Sequence, residues 1–371
     1  MKLLFIVNVD WFFISHRLPI ALAAIKQGYE VHLACGITNR KAELETLGLV
    51  VHSLSISRSG TSLLKELKVI KEMNTIVEKV APDAVHLVTI KGVVYGGLVT
   101  RFKKIKVRIA SISGLGFVFI DKGFKALILR FLITKLYRIA LNSSNTKVIF
   151  QNENDKAIFI KNNIIKPEQS LIIRGSGVDL EKYKYLPEPS GEKVIMFLAR
   201  LLKDKGLVEF CEAAITLKKS GFKGRFVLVG DIDLYNPNSL NQQELNNYVN
   251  SGYIEHWGFS TNVAEIIAHS HVMVLPSYRE GLPKSLIEAA ACGRAVITTD
   301  VPGCRDAITP NLTGILIPVK SSEAIIYAIQ TLCDNDDTRI IMGKKGRALA
   351  ESCFDIADVI ETHLKLYKEA V

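Results

Sequence analysis

The chain has 371 residues, of which 48% are hydrophobic and 23% are charged. That length is too great for one ordinary domain and fits two domains of about 180 residues each. No apolar run reaches the roughly eighteen residues of a spanning helix, and Met1–Val9 is too short for a secretory segment, so we expect neither. The six cysteines have no paired or metal-binding spacing, which is typical of a protein in a reducing cytosol.

Strands and helices alternate along the whole chain, and the first predicted helix is His16–Gln27. The strands predicted in the first half are Leu3–Val9, Val31–Cys35, Val50–Leu54, Ala84–Val88, Val107–Ile112, Lys147–Gln151 and Leu171–Ile173. Those predicted in the second half are Val194–Leu198, Arg225–Val229, Gly252–His256, His271–Leu275, Ala295–Thr298 and Gly314–Ile317. Repeated strand–helix units favour an α/β fold with two doubly wound parallel sheets. The polar segment 187–191 is the predicted connector, so we expect domains at 1–186 and 187–354, followed by a helix within 355–371.

Positive charge is concentrated in the first half. Residues 1–190 contain 28 Lys and Arg against 15 Asp and Glu, whereas residues 191–371 contain 19 against 22. A basic half predicts a polyanionic partner such as nucleic acid, an anionic lipid or a diphosphate, although a merely solvated surface is an alternative. The chain has no ribonucleoprotein string, no zinc-binding spacing and no isolated helix-turn-helix unit, so we expect no nucleic-acid partner.

Two glutamates accompany a short helix between two buried strands of the second half. Glu280 lies in the loop before the helix Lys284–Ala291, and Glu288 lies about two helical turns further on. The first amides of this region form an anion site at a helix N-terminus: those of Gly281, Leu282, Lys284 and Ser285. A carboxylate at each end suits a ligand with hydroxyls at both ends and phosphates between, such as a nucleotide sugar. Alternatively both glutamates are ordinary surface residues, but Glu288 has apolar neighbours and a buried carboxylate needs a partner.

A pair of cations follows the first predicted strand of the second half. Arg200 leaves this strand and Lys205 opens the next helix, an arrangement that suits a diphosphate or, alternatively, is a solvated helix start. Gly177 lies in a Gly-Ser-Gly segment that lets the backbone approach a ligand or forms a plain turn. Asp231 and Asp233 resemble an Asp-x-Asp metal motif, but they follow a strand of a second Rossmann-like domain, so we predict no metal requirement. Gly258 begins a segment that could pack on a nucleobase.

The strand-end loops of the first half carry candidate residues for a second substrate. The loop after the first strand has no Gly-x-Gly-x-x-Gly turn, which argues against a dehydrogenase. His16 and Arg17 would begin the following helix as a polar pair and a phosphate clamp, beside three exposed aromatic residues, although a structural histidine is equally compatible. Ser113 and Gly114 follow another strand in a tight turn.

The segment 122–141 predicts a basic amphipathic helix. Its Lys and Arg residues alternate with Phe and Leu, and five further Lys and Arg lie in residues 101–108. Such a helix can lie on a membrane surface, or its apolar face can simply pack on the sheet. We favour contact with the membrane.

The string SYREGLPKSLIEAAACG resembles the carboxylate-pair signature of retaining glycosyltransferases of family 4, which have the GT-B fold of two Rossmann-like domains facing a cleft. The resemblance implies that Glu280 and the following amides hold the donor sugar and that Glu288 holds the ribose. It also implies that Arg200 and Lys205 bind the donor diphosphate and stabilise the leaving group. The donor domain would be the second, and the acceptor would bind the first, with a C-terminal helix crossing back to it.

The string GLGFVFIDKGFK resembles a narrower subgroup that elongates undecaprenyl-diphosphate-linked sugars, including α-1,3 N-acetylgalactosamine transferases of bacterial glycan assembly. This implies a UDP-N-acetylhexosamine donor, no metal or other cofactor, and a lipid-diphosphate sugar acceptor at the inner face of the cell membrane. Many family members carry a histidine near Ser113, and this chain does not. A nucleotide-sugar epimerase or hydrolase of the same fold and a non-catalytic nucleotide-sugar-binding protein are the alternatives.

Overall fold

The chain folds into two compact units, Met1–Ser176 with Ala357–Val371 and Gly177–Ile356. The computed structural model describes residues 1–56, 62–115 and 123–369, without the side chains of residues 124–126. Most of the GLGFVFIDKGFK string therefore lies outside the described residues. Within the described residues, no helix is long and apolar enough to cross a membrane.

The first unit is built on a seven-stranded parallel sheet with the strand order β3-β2-β1-β4-β5-β6-β7. The strands are β1 Lys2–Val9, β2 Glu30–Gly36, β3 Val50–Ser53, β4 Ala84–Val88, β5 Val107–Ile112, β6 Thr146–Phe150 and β7 Ser170–Ile172. The helices are α1 Asp10–His16, α2 Leu18–Lys26, α3 Lys41–Thr46, α4 Leu63–Val80, α5 Ile90–Thr100, α6 Phe124–Leu141 and α7 Glu153–Lys161.

The second unit has a six-stranded parallel sheet with the order β10-β9-β8-β11-β12-β13. Its strands are β8 Lys193–Leu198, β9 Gly224–Val229, β10 Ile254–Gly258, β11 Val272–Leu275, β12 Ala295–Thr299 and β13 Gly314–Ile317. Its helices are α8 Leu207–Lys219, α9 Gln242–Asn250, α10 Val263–Ala268, α11 Lys284–Ala291, α12 Ser322–Cys333 and α13 Asp336–Cys353. The predicted pair of doubly wound parallel sheets is confirmed.

Both faces of each sheet are covered, as the continuous apolar strands require. Successive residues of β1 point to opposite faces, so Leu3 and Phe5 join one hydrophobic cluster whereas Leu4 and Ile6 join the other. The last helix, α14 Ile356–Lys368, contributes Tyr367 to the first of these clusters. The C-terminal helix is thus part of the first unit.

Two details differ from the sequence-based expectation. The segment after β1 was expected to be a loop but forms helix α1, and the helix predicted from His16 begins at Leu18 as α2. Pro19 lies in the first turn of α2, where its missing amide hydrogen leaves no helical hydrogen bond unmade. The division between the units lies at Gly177 instead of residue 187, because Val178 donates its amide to the Phe354 carbonyl at 2.8 Å and accepts from the Ile356 amide at 3.1 Å.

Candidate functional site

The candidate site lies in the second unit, where strand order reverses between β8 and β11. Ligands of open parallel sheets bind beyond the carboxyl ends of the strands at such a point. Arg200 follows the end of β8, and Glu280 follows the end of β11. Two residues that lie far apart in sequence are thereby placed on neighbouring strand ends.

Close packing of three loops shapes this edge of the sheet. Gly206 has a φ of +73°, and a Cβ there would lie 2.2 Å from the carbonyl oxygen of Pro276. Gly303 has a φ of +83°, and its Cβ would lie 2.5 Å from the carbonyl oxygens of Glu280 and Gly281. Only glycine allows both the backbone conformation and this approach, so these two positions hold the loops after β8 and β12 against the loop that carries Glu280.

Lys205 and Glu280 form an ion pair between two of these loops. The Lys205 ammonium contacts Oε1 of Glu280, and the Ser277 hydroxyl donates to the same oxygen at 2.7 Å. The lysine side chain is 20% exposed and the glutamate 12%, so the pair is largely screened from water but still reachable. The structure therefore brings together two of the predicted site residues and adds Ser277, which the sequence reasoning missed although it lies three residues before Glu280.

Glu288 is buried on α11 and has partners within the second unit. Lys284 lies one turn earlier, with its Nζ 3.4 Å from Oε1 of Glu288. The pKa of Tyr183 is raised, first by burial and then by the Glu288 charge and a hydrogen bond to that carboxylate. The expectation that Glu288 needs a partner is thus confirmed, but no sequence signal indicated Tyr183, which lies more than one hundred residues away.

Arg200 pairs with Asp233, at 2.6 Å between Nη1 and Oδ2. Asp233 belongs to the pair of aspartates that resembles a metal motif, and here its carboxylate faces a guanidinium. No group of three or more His, Cys, Asp or Glu that could hold a metal ion occurs among the described residues. Because Arg200 and Lys205 both lie at this edge of the sheet, the site can place positive charge beside a ligand.

Three of the remaining predicted residues of the second unit lie at the same edge of the sheet. Gly281 and Leu282 are buried directly before α11. Gly258 ends β10 and accepts the Gly230 amide at 2.9 Å, and the neighbouring Phe259 is strongly exposed. Gly177 lies elsewhere in this unit, where a Cβ would come within 2.7 Å of Ile356 Cα, so its role in the fold is close packing.

The predicted residues of the first unit do not form one cluster of charges. His16 ends α1 and stacks on Phe12, with 4.1 Å between ring centroids. Arg17 is 2% exposed, and burial lowers its pKa to about 10. Phe13 is fully buried, so only two of the three aromatic residues expected to be exposed have any exposure. Ser113 has a buried Oγ without a hydrogen-bond partner in the described part of the chain, and Gly114 follows it with a φ of +116°.

Helix α6 carries a second candidate surface. Its apolar residues are 37% to 61% exposed at Leu127, Ile128, Leu129, Phe131, Leu132, Leu136 and Ile139. Leu127, Ile128 and Leu129 are consecutive, so exposure extends around the helix, and soluble helices do not usually leave such a surface open. The helix contains basic residues and no acidic ones.

Two family models match the two units. The model described as "Glycosyl transferase 4-like" matches residues 2–152, and the model described as "Glycosyl transferases group 1" matches residues 178–349. Each match covers most of one unit.

The chain is similar over nearly its full length to enzymes that act on lipid-linked sugars. It is 29% identical to the N,N'-diacetylbacillosaminyl-diphospho-undecaprenol α-1,3-N-acetylgalactosaminyltransferase of Campylobacter jejuni, over 96% of this chain and 95% of the relative. It is 26% identical to the Escherichia coli UDP-Gal:α-D-GlcNAc-diphosphoundecaprenol α-1,3-galactosyltransferase, over 84% and 81%. Among solved structures, sucrose-phosphate synthase from Thermosynechococcus elongatus aligns with a TM-score of 0.81 at 17% identity, over 100% of this chain and 98% of that one. This last likeness concerns the fold.

Proposed function

Since the chain belongs to the GT-B glycosyltransferases of the group 1 and family 4 type, we propose that it transfers a sugar, an N-acetylhexosamine, from a UDP-sugar to an undecaprenyl-diphosphate-linked sugar. The second unit binds the donor and the first binds the acceptor. The relatives from Campylobacter jejuni and Escherichia coli support both substrate classes, because their names specify lipid-diphosphate acceptors and, for the second, a UDP-sugar donor.

The observation that carries this proposal is the contact of Lys205 with Glu280 at the strand-order reversal of the second unit. Lys205 and Arg200 supply positive charge for the diphosphate of the donor. Glu280 accepts hydrogen bonds from the sugar hydroxyls. The amides of Gly281 and Leu282, directly before α11, donate hydrogen bonds to these hydroxyls. Glu288, further along α11, binds the ribose.

The proposed reaction retains the anomeric configuration of the donor and needs no metal. The bond between the anomeric carbon and the phosphate oxygen breaks while the acceptor hydroxyl forms the new bond on the same face. The acceptor proton moves to the departing phosphate oxygen, which leaves as UDP. Arg200 and Lys205 stabilise the charge that develops on that diphosphate, so the protein contributes positioning and electrostatic stabilisation instead of a nucleophile or a metal ion.

Titration calorimetry with UDP, GDP and a panel of UDP-sugars, each with and without EDTA, tests the donor half of this proposal. We expect UDP to bind, GDP to bind more weakly, and EDTA to change neither affinity. Absence of nucleotide binding by the folded protein would overturn the donor site, and loss of binding in EDTA would overturn metal independence.

We also propose that α6 contacts the membrane and that the enzyme acts at the inner face of the cell membrane. The exposed apolar residues of α6 would enter the headgroup region while the exposed Lys135 contacts anionic lipids. A lipid-linked acceptor requires such proximity, because its diphosphate lies at the membrane surface.

Vesicle flotation with the Phe131→Ser/Leu132→Ser variant tests this contact. Each fully buried side chain of this size contributes about 1.5–3 kcal/mol, so we expect at least a 10-fold loss of binding to anionic vesicles. Tyr327→Ser is the matched control, since Tyr327 is a strongly exposed aromatic residue of the second unit. Equal binding by the α6 variant and the wild type would contradict membrane contact through this helix.

A further inference from the structure

Asp233 is far less exposed than the arginine it contacts. The carboxylate is 7% exposed and the Arg200 side chain 41%, and the two are joined at 2.6 Å. A nearly buried carboxylate loses hydration that only a cation or several hydrogen bonds can replace. The contact with Arg200 therefore stabilises the Asp233 carboxylate. Moving the guanidinium away from this carboxylate would cost free energy.

The loop that carries Asp233 is fastened to the segment that carries Arg200. Inside the loop, the Asp233 amide donates to the Ser239 hydroxyl at 2.9 Å, and the Asn236 amide donates to the Asp233 carbonyl at 2.8 Å. Three backbone hydrogen bonds of 2.8 to 3.1 Å join the two segments. The amides of Lys203, Leu240 and Leu201 donate to the carbonyls of Asn238, Leu201 and Asp231, respectively. The position of Asp233 relative to the Arg200 backbone is thus fixed on both sides.

A fixed carboxylate restricts the directions that a long side chain can take. Arginine has a large rotamer entropy, and a partly exposed guanidinium samples many directions unless something holds it. The charge-assisted hydrogen bond to Asp233 selects one of them before any ligand arrives. This matters for a group that must face charge developing in a transition state, because misplacement by about 1 Å can lower the rate 100-fold.

We propose that Asp233 is a positioning residue that holds Arg200 in the direction of the donor diphosphate during transfer. The inference rests on the proposed function, which places the diphosphate beside Arg200. Asp233 acts through Arg200 and does not touch the reacting atoms. Its negative charge also repels the bound diphosphate, so it weakens binding of the nucleotide while it improves the geometry of the reaction.

These two effects predict opposite changes in binding and turnover for Asp233→Asn. We expect the UDP dissociation constant to stay equal or to decrease, because the repulsion is gone. We expect kcat to fall roughly 10- to 100-fold, because Arg200 loses its fixed direction. Asp231→Asn is the matched control, since it removes the same charge from the exposed start of the same loop, and we expect it to retain wild-type kcat.

A double-mutant cycle in the Arg200→Ala background tests whether Asp233 acts through Arg200. Adding Asp233→Asn to Arg200→Ala should change kcat by less than about 2-fold, whereas it changes kcat by 10-fold or more in the wild type. A full additional loss in the double variant, a parallel loss of UDP affinity and kcat, or wild-type kcat for Asp233→Asn would each overturn the proposal. Thermal unfolding of each variant separates these results from misfolding.

The same measurements distinguish failure of this inference from failure of the proposed function. If the wild type binds no UDP and transfers no sugar, both are wrong. If the wild type binds UDP and transfers sugar while the cycle is additive, the glycosyltransferase proposal stands and the role of Asp233 is refuted.

Discussion

Each unit contains a cluster of polar side chains, and the two clusters differ in their access to solvent. In the first unit, His86 is fully buried and hydrogen-bonds Tyr367 at 2.6 Å and Ser111 at 2.7 Å. In the second unit, Lys205, Glu280 and Arg200 keep part of their surface in contact with solvent. The buried cluster joins α14 to the sheet and contributes to stability, whereas the partly exposed cluster retains charges that a ligand can reach.

The clusters also differ in charge. Burial holds the pKa of His86 well below its usual value, with the charge of His363 and then that of Arg17 adding to the effect, so the imidazole is neutral at pH 7. The pKa of His363 is lowered to about 3, again by burial first and then by Arg17. Among these residues, Arg17 is the cation that could bind an anion, and it is enclosed. We therefore predict that substitutions in the Lys205 cluster change catalysis and that substitutions in the His86 cluster change stability.

The largest effect is expected for Lys205→Ala. Loss of a preorganised group that stabilises developing charge typically costs about 3–4 kcal/mol, so kcat should fall 100- to 1000-fold. The thermal midpoint of unfolding should also fall, because the largely buried Glu280 loses its cation, so kcat is measured well below that midpoint. Lys203→Ala is the matched control, because Lys203 belongs to the same short helical turn and pairs with Glu244 at 2.6 Å. Normal turnover by the Lys205 variant in a steady-state assay would contradict the donor-diphosphate assignment.

The next effect concerns stability at low pH. Because the folded-state pKa of His363 lies below the usual 6.5, the unfolded chain binds more protons between pH 6.5 and about 3. The stabilisation is fully present above pH 6.5 and is lost as pH falls, by up to about 1.4 kcal/mol per pH unit for one group. Denaturant titrations of His363→Leu should show a smaller loss of unfolding free energy between pH 7 and 5 than the wild type.

His269→Gln is the control for this pH dependence, since His269 is exposed on the surface of the second unit. It should retain the slope of the wild type. An identical slope for His363→Leu and the wild type would show that the buried imidazole does not contribute to acid sensitivity.

A smaller effect is expected for Glu288→Gln. The amide keeps the size of the side chain but loses the charge that Lys284 and the proposed ribose hydroxyls contact. We expect UDP to bind roughly 10-fold more weakly, which corresponds to about 1.4 kcal/mol, with a smaller change in kcat. Unchanged affinity for UDP in calorimetry would show that Glu288 does not bind the nucleotide, whatever the effect of Lys205→Ala.

Local patterns in the sequence were sufficient to predict the two sheets and the approximate position of the candidate site. Continuous apolar runs mark strands that are buried on both faces, and consecutive βα units place residues such as Arg200 and Glu280 at the same edge. The start of α2 was also readable, since proline favours the first turn of a helix and Pro19 lies there, whereas α1 occupies a segment that was predicted to be a loop.

Contacts between distant segments could not be predicted in the same way. Asp233 meets Arg200, and Tyr183 meets Glu288, only because loops separated by tens of residues pack together. Arg17 follows a loop of aromatic residues and was expected at the surface, yet it is enclosed near Tyr367 and His363 of α14, which lies at the other end of the chain. Residue type and spacing do not report such burial.

Retaining, metal-independent transfer is tested by incubating the purified protein with UDP-N-acetylgalactosamine and a polyprenyl-diphosphate N-acetylglucosamine in EDTA. The linkage in the product is then determined by NMR. We predict that one UDP is released for each sugar transferred, and that the new glycosidic bond has the same anomeric configuration as the donor. Release of UDP with free sugar, or an inverted linkage, would contradict it.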